Sequence, residues 1–211
     1  MLAVALSWAL AGTGAAEPPT RTPASRALLD SVWRGVQQAQ QRHVSGCGTL
    51  TETRVSPLLV RPLVMTGTFC AAGLDRFRVV YAGPDGARVV YNRGVLNVSA
   101  DGGRRTEAVD VGGAVRRAQG YFAGPRAAEN LERDFSIAVA EAGDRYALEL
   151  VPVSGRIARR VKRVAVELGK ADFLPRRLEI EGRSGVSSTF EIRIETLDTP
   201  LDEGLFKVYR P

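Results

Sequence analysis

Few side chains in this sequence are placed to do chemistry. His43 is the only histidine, and it falls at the polar end of an amphipathic segment. A Ser-His-Asp arrangement needs its imidazole in a dry cleft beside a nucleophile, and nothing marks such a cleft here. His43 and Cys47 could form a thiol dyad, but a helix-to-strand break separates them and Cys70 is the better partner for the thiol. No set of His, Cys and carboxylate residues has metal-ligand spacing. No glycine loop leads into Lys-Ser or Lys-Thr to cradle phosphate. The acidic residues mostly alternate with apolar ones, which predicts solvated outward faces of strands. The sequence therefore predicts no catalytic residue, no metal and no cofactor.

The two cysteines, Cys47 and Cys70, are the other reactive groups. Val44 to Val55 and Leu63 to Ala71 both read as strands, with Pro57-Leu58-Leu59-Val60 between them. A hairpin folded symmetrically about Leu58 and Leu59 brings residue 47 opposite residue 70, the facing position that a cross-strand bridge needs. In an oxidising compartment this pair is expected to be a disulfide; two buried thiols are the alternative.

Elements that could position these groups follow from periodicity. Leu28, Leu29, Val32, Trp33, Val36 and Ala39 recur at helical spacing behind Ser25, a candidate N-cap, while Arg34, Gln37, Gln38 and Gln41 fall on the opposite face. Gly46 and Gly48 end that helix, and period two takes over. Phe77, Val79 and Tyr81 alternate with Arg78; Val89 and Tyr91, then Leu96 and Val98, follow turns at Pro84-Asp85-Gly86 and Asn92-Arg93-Gly94. Tyr146, Leu148 and Leu150 repeat the pattern, as do Val164, Val166 and Leu168. Leu178 and Ile180 oppose Glu179 and Glu181; Phe190, Ile192 and Ile194 oppose Glu191, Arg193 and Glu195. One apolar and one charged face per strand predicts a large antiparallel sheet covered on one side. Between Val109 and Arg133 the period changes, with short helices expected near Val111 to Ala118 and over Ala127 to Leu131. The fold class expected is mainly β (α+β): a strongly curved antiparallel sheet forming an open half-barrel, closed by an N-terminal helix and short helical segments.

Composition agrees with a secreted domain. The chain has 211 residues, 45% hydrophobic and 25% charged, enough to bury a core. Leu2 to Ala11 form a short apolar run, followed by Gly14-Ala15-Ala16 and then Glu17-Pro18-Pro19. This reads as a cleaved secretory signal over residues 1–16, a flexible leader over 17–24 and one domain over 25–211; a buried N-terminal helix is the alternative. No cysteine stands at the cleavage position to be lipidated, and no later run approaches the length of a membrane-spanning helix. The net charge of +6 clusters at Arg104-Arg105, Arg116-Arg117 and Arg156 to Arg163. A basic face could meet acidic partner proteins or anionic lipid, or could simply be solvated; nucleic acid is not an expected partner.

The order of motifs resembles a known family. Gly48-Thr49-Leu50-Thr51-Glu52-Thr53, Thr66-Gly67-Thr68-Phe69, and Leu74-Asp75-Arg76-Phe77-Arg78-Val79-Val80-Tyr81 before Pro84 follow one another as in the periplasmic lipoprotein carriers (the LolA family). Leu150-Val151-Pro152 and Leu201-Asp202-Glu203-Gly204-Leu205-Phe206-Lys207-Val208 match its ending. The resemblance covers nearly the whole chain after residue 24, through short motifs that carry weight only by their order. It implies a periplasmic, non-enzymatic carrier; the sequence carries no oligomerisation signal, so a monomer is expected. Such a carrier takes the acyl chains of lipoproteins from an inner-membrane ABC-type releasing complex and hands them to an outer-membrane receptor. It also implies that surplus inner face lines an acyl-chain cavity, here Phe69, Phe77, Val79, Tyr81, Leu148, Leu150, Phe190, Ile192 and Ile194, under a mobile lid carrying Val111, Val115, Tyr121 and Phe122; a plain packed core is the alternative for many of these. The chain departs from the family where an arginine fastens the lid. That position is Gly73, Leu74 replaces the following proline, and Val79 replaces a tryptophan. These departures admit another envelope lipid or glycolipid as cargo. A third reading, a sensor of mislocalised lipoproteins that binds a membrane regulator, usually requires a second domain, and none is evident.

Overall fold

The computed structural model describes residues 23–83, 86–100, 105–110, 121 and 127–209. Helix α1 spans Pro23–Arg42. Strands follow as β1 (Ser45–Val55), β2 (Leu63–Ala72), β3 (Arg76–Tyr81), β4 (Arg88–Asn92), β5 (Val95–Ala100) and β6 (Arg105–Asp110). After α2 (Ala127–Asp134) come β7 (Phe135–Ala142), β8 (Arg145–Pro152), a one-turn helix α3 (Gly155–Ala158), β9 (Val161–Gly169), β10 (Pro175–Gly182) and β11 (Ser187–Leu197). The described strands form one 11-stranded antiparallel sheet in the order β6-β5-β4-β3-β2-β1-β11-β10-β9-β8-β7. The first and last strands thus pair at its centre, while β6 and β7 form its two ends. This is the open, curved half-barrel expected from the alternation.

The helix begins at Pro23, two residues before the expected cap at Ser25; proline is tolerated in the first turn because the N–H it lacks has no intrahelical acceptor there. Helix α1 stops at Arg42, and Gly46 and Gly48 already belong to β1. Leu29, Val32, Trp33, Val36 and Ala39 are buried. All but Ala39 join Leu131, Phe135, Ile137, Leu148, Leu150, Val164, Val166 and Leu168 in one core, so α1 covers the β7–β10 half of the inner face. Close approach is possible because Gly35 has no side chain: a Cβ there would lie 2.3 Å from the Phe173 ring. Helix α2 covers the expected Ala127 to Leu131 segment. The expected helix at Val111 to Ala118, the signal and the leader lie outside the described residues, apart from the last two leader positions, which open α1.

Hairpin β1–β2 has the predicted symmetry. Cys47 pairs with Cys70 in register, and their sulfurs are bonded at 2.09 Å. The bridge lies on the convex face, because Gly48, Leu50 and Glu52 occupy the other parity of β1 and are buried. Crosslinking residues 23 apart should stabilise the fold by about 3 kcal/mol through lost loop entropy in the unfolded chain. Reduction is expected to lower the melting temperature accordingly, and denatured protein should show no reactive thiol; two labelled cysteines without reductant would contradict the bridge.

After β11 the chain returns across the convex face of β3–β5, a feature the alternation did not signal. A 3-10 turn at Glu203–Phe206 buries Phe206 beneath the Arg76 guanidinium, 5.6 Å from the ring centre. Asn92 donates to the Phe206 carbonyl at 2.8 Å, and Asn97 both donates to and accepts from the Tyr209 backbone at 2.9 and 2.6 Å. His43 belongs to the opposite seam of this tail. Its Nδ1 lies 2.7 Å from Asp198, which also accepts from the Val44 N–H. These contacts, the histidine bond foremost, hold the Asp198 carboxyl below its usual range. His43 is thus paired away from both cysteines.

Candidate functional site

The inner faces of the two half-sheets do not close on each other. Between them is a cavity of about 570 Å³, within the span of roughly 300–1,000 Å³ usual for small-ligand sites. Parity along the strands decides what lines it. On one side stand Leu50 of β1, Phe69 of β2, Phe77, Val79 and Tyr81 of β3 and Val89 of β4; on the other stand Leu178 and Ile180 of β10 with Phe190 and Ile192 of β11. The register aligns them in rows, Val89–Val79–Phe69 in the first half and Phe190–Leu178 in the second.

Of the residues that the resemblance assigns to a cavity, Phe69, Phe77, Val79, Tyr81, Phe190 and Ile192 line this one. Leu148 and Leu150 are instead buried in the core that α1 shares with β7–β10, and Ile194, half-buried on β11, is outside the cavity lining. Of the expected lid residues, Val111, Val115 and Phe122 lie outside the described residues. Tyr121 is buried: its hydroxyl donates to Asp134 at 2.7 Å and its ring meets Phe135 edge-on. That places it in the α1-side core.

A polar cluster breaks the apolar wall. Glu52, on the inner parity of β1, is 1% exposed, an exception to the expectation that the acids mostly face outward. It accepts from the Tyr81 hydroxyl at 2.5 Å, from Arg54 at 2.7 and 3.2 Å and from the Ser188 hydroxyl at 3.2 Å. A buried carboxylate is tolerable only with such charge-assisted partners. The Tyr81 phenol is pushed well above its usual range, first by burial and then by the bond to Glu52, so it remains a donor at any physiological pH. Leu50, Glu52 and Arg54 share one parity of β1, and that was the readable signal: an acid in phase with a core leucine.

Beyond Glu52 the cavity runs to the end of the sheet, where Arg54, Arg160, Ser184, Val186 and Ser188 form its rim. Among the described residues no three His, Cys, Asp or Glu side chains gather to hold a metal ion. No described helix is long and apolar enough to cross a membrane.

The glycine at position 73, where the chain departs from the resembled motif, has a structural explanation. Gly73 adopts φ +59° in the β2–β3 turn and donates to the Val44 carbonyl at 2.8 Å. Left-handed backbone strains any residue with a Cβ, so this turn geometry selects glycine. Leu74 packs against the α1-side core instead.

Fold and cavity together define an open half-barrel with an apolar cavity between its two halves. No protein-family model and no curated protein sequence matches the chain. Among solved structures it is similar to an uncharacterised conserved protein from Thermus thermophilus, at 13% identity and a TM-score of 0.52, over 87% of this chain and 94% of that one. Others are the lipoprotein LppX of Mycobacterium tuberculosis, at 10% identity and a TM-score of 0.49 over 84% and 99%, and a LolA superfamily protein from Nitrosomonas europaea, at 12% identity and 0.42 over 85% and 97%. At these identities the likeness is one of fold.

Proposed function

We propose that this protein is a periplasmic carrier that shields acyl chains from water and moves them between the inner and outer membranes. The observation that carries the reading is the apolar cavity between the two half-sheets, open at a polar rim. Such a shape suits an amphiphile whose chains lie along Phe69, Val79, Leu178 and Phe190 while its head remains near Arg54 and Ser188. A carrier has to release its load, and at roughly 0.8 kcal/mol per methylene a cavity of modest size avoids the irreversible grip of complete burial. Lipoproteins, delivered by an inner-membrane ABC-type complex and received at the outer membrane, are the proposed cargo. A different envelope lipid is the second reading, favoured by Gly73, whose turn leaves no side chain to fasten a lid in the family's manner. In either reading Val111, Val115 and Phe122 belong to the segment proposed to cover the cavity.

Native mass spectrometry of protein purified from the periplasm, followed by lipid extraction, tests the proposal. Adducts with lipoprotein-derived acyl chains are expected. Extraction of a glycolipid or phospholipid alone would select the second reading, and protein that neither retains nor takes up any amphiphile would overturn both.

A further inference from the structure

The β1–β2 hairpin ends in a point of aliphatic side chains. Leu58 is 93% exposed, Val60 is fully exposed, and Val55, Leu59, Leu63 and Val64 are exposed beside them. A tight turn holds them out: Leu59 N–H donates to the Ser56 carbonyl, and Leu58 N–H to the Ser56 hydroxyl. Strand pairing places the hairpin tip at the cavity-rim end of the sheet, since Val55 is opposite Ser187 and the tip projects past that pair. Pro57 lies against Gly185, whose Cβ would come within 3.0 Å of it. The β10–β11 turn is tied in turn to the β8–β9 loop by Arg183, which bonds the carbonyls of Arg160 and Ala158.

These three loops, residues 55–63, 182–187 and 153–160, contain no aspartate or glutamate. Arg61, Arg159 and Arg160 are exposed there and form no ion pair among the described residues. Four turns at the other end of the sheet carry Asp75, Asp144, Asp172 and Asp198. The rim end thus presents an aliphatic tip beside exposed cations that no described carboxylate neutralises, whereas the far-end aspartates are paired with Arg76, Arg93, Arg145, Arg176 and His43.

We propose that this tip docks the protein on an anionic bilayer: Leu58, Leu59 and Val60 enter the acyl layer, Arg61, Arg159 and Arg160 remain among the headgroups, and the cavity rim is set down facing the lipid. A projecting point offers too little flat area for a stable protein interface, which needs roughly 1,200 Å² or more. Inserting three aliphatic side chains needs no flat area, and each nearby cation adds attraction to anionic lipid. The proposal goes beyond the carrier reading and does not require the cavity to be loaded.

Sedimentation of the purified protein with phosphatidylcholine vesicles, with and without phosphatidylglycerol, tests it. Binding to the anionic vesicles is expected, weakening with salt. The double variant Leu58→Asp, Val60→Asp should lose at least about tenfold in vesicle partitioning, because two inserting groups become carboxylates. Its melting temperature and its uptake of a fluorescent fatty acid should be unchanged, since both side chains are solvated; Arg61→Glu should show a smaller loss confined to anionic vesicles. Wild-type protein that stays in the supernatant with anionic vesicles, as for a tip serving a protein partner, would overturn the proposal. So would a double variant that sediments like wild type. Because vesicle binding is read independently of fatty-acid uptake, failure of the carrier reading and failure of this one are separate results.

Discussion

Replacing Val79 by tryptophan, the residue at this position of the resembled motif, is expected to narrow the cavity and weaken its hold on acyl chains while leaving the fold intact. Val79 is a central residue of β3, half-buried and paired with Phe69 on one side and Val89 on the other. All three line the cavity, so the added indole grows into free space rather than into packed atoms, and overpacking strain stays small. An indole there displaces about four methylenes of a bound chain. At roughly 0.8 kcal/mol each, binding should weaken about 100-fold or more. Titration with a fluorescent fatty acid, beside thermal melts of the same samples, checks both halves of the statement. A variant that binds the probe as tightly as wild type would show that acyl chains do not occupy this space.

Removing the buried carboxylate should act on stability. In Glu52→Leu the Tyr81 hydroxyl loses its acceptor and the Arg54 guanidinium its counter-charge. Breaking one side of a buried polar cluster leaves the other side desolvated and unpaired. Arg54 is 36% exposed and can turn toward water, which trims the cost to about 2–3 kcal/mol rather than the full penalty for a stranded charge. Urea unfolding should show that loss, with much of it recovered when Arg54→Leu and Tyr81→Phe are added, because the partners that the carboxylate served are then gone as well. A loss below about 0.5 kcal/mol for the single variant would mean that the cluster is no more than a surface ion pair.

Much of this architecture was readable in the sequence because a strand's period fixes the parity of each residue. Phe190 and Ile192 could be placed inward from Glu191 and Arg193, and the Cys47–Cys70 pairing from the symmetry of one hairpin. Parity fails where a residue is polar but inward. Glu52 looks like a surface acid until its phase with Leu50 is noticed. Parity also cannot say what an inward residue meets: Leu148 and Val79 carry the same signal, yet α1 lies over one and a cavity over the other. That difference depends on where a helix docks over a hundred residues away in the chain. The return of the tail over β3–β5 was hidden for a related reason, since Asn92, Asn97 and Phe206 form no periodic pattern and acquire meaning only once brought together. Gly73 could be read as a departure from a family motif, but its φ value supplies the cause.

The pairing of β1 with β11 has a consequence for how the chain comes into being. Thr49 and Glu195, 146 positions apart, bond across that seam, so the middle of the sheet cannot be completed until β11 has been made. Until residue 197 has been synthesised, β1 and β10 each present an unpaired edge at what will become the centre. Closing so long a loop makes folding slow, and open edges invite pairing with other chains. A product truncated before β11 would therefore fail as two half-sheets with sticky inner margins, and a chain of this topology gains from being kept unfolded until it is complete.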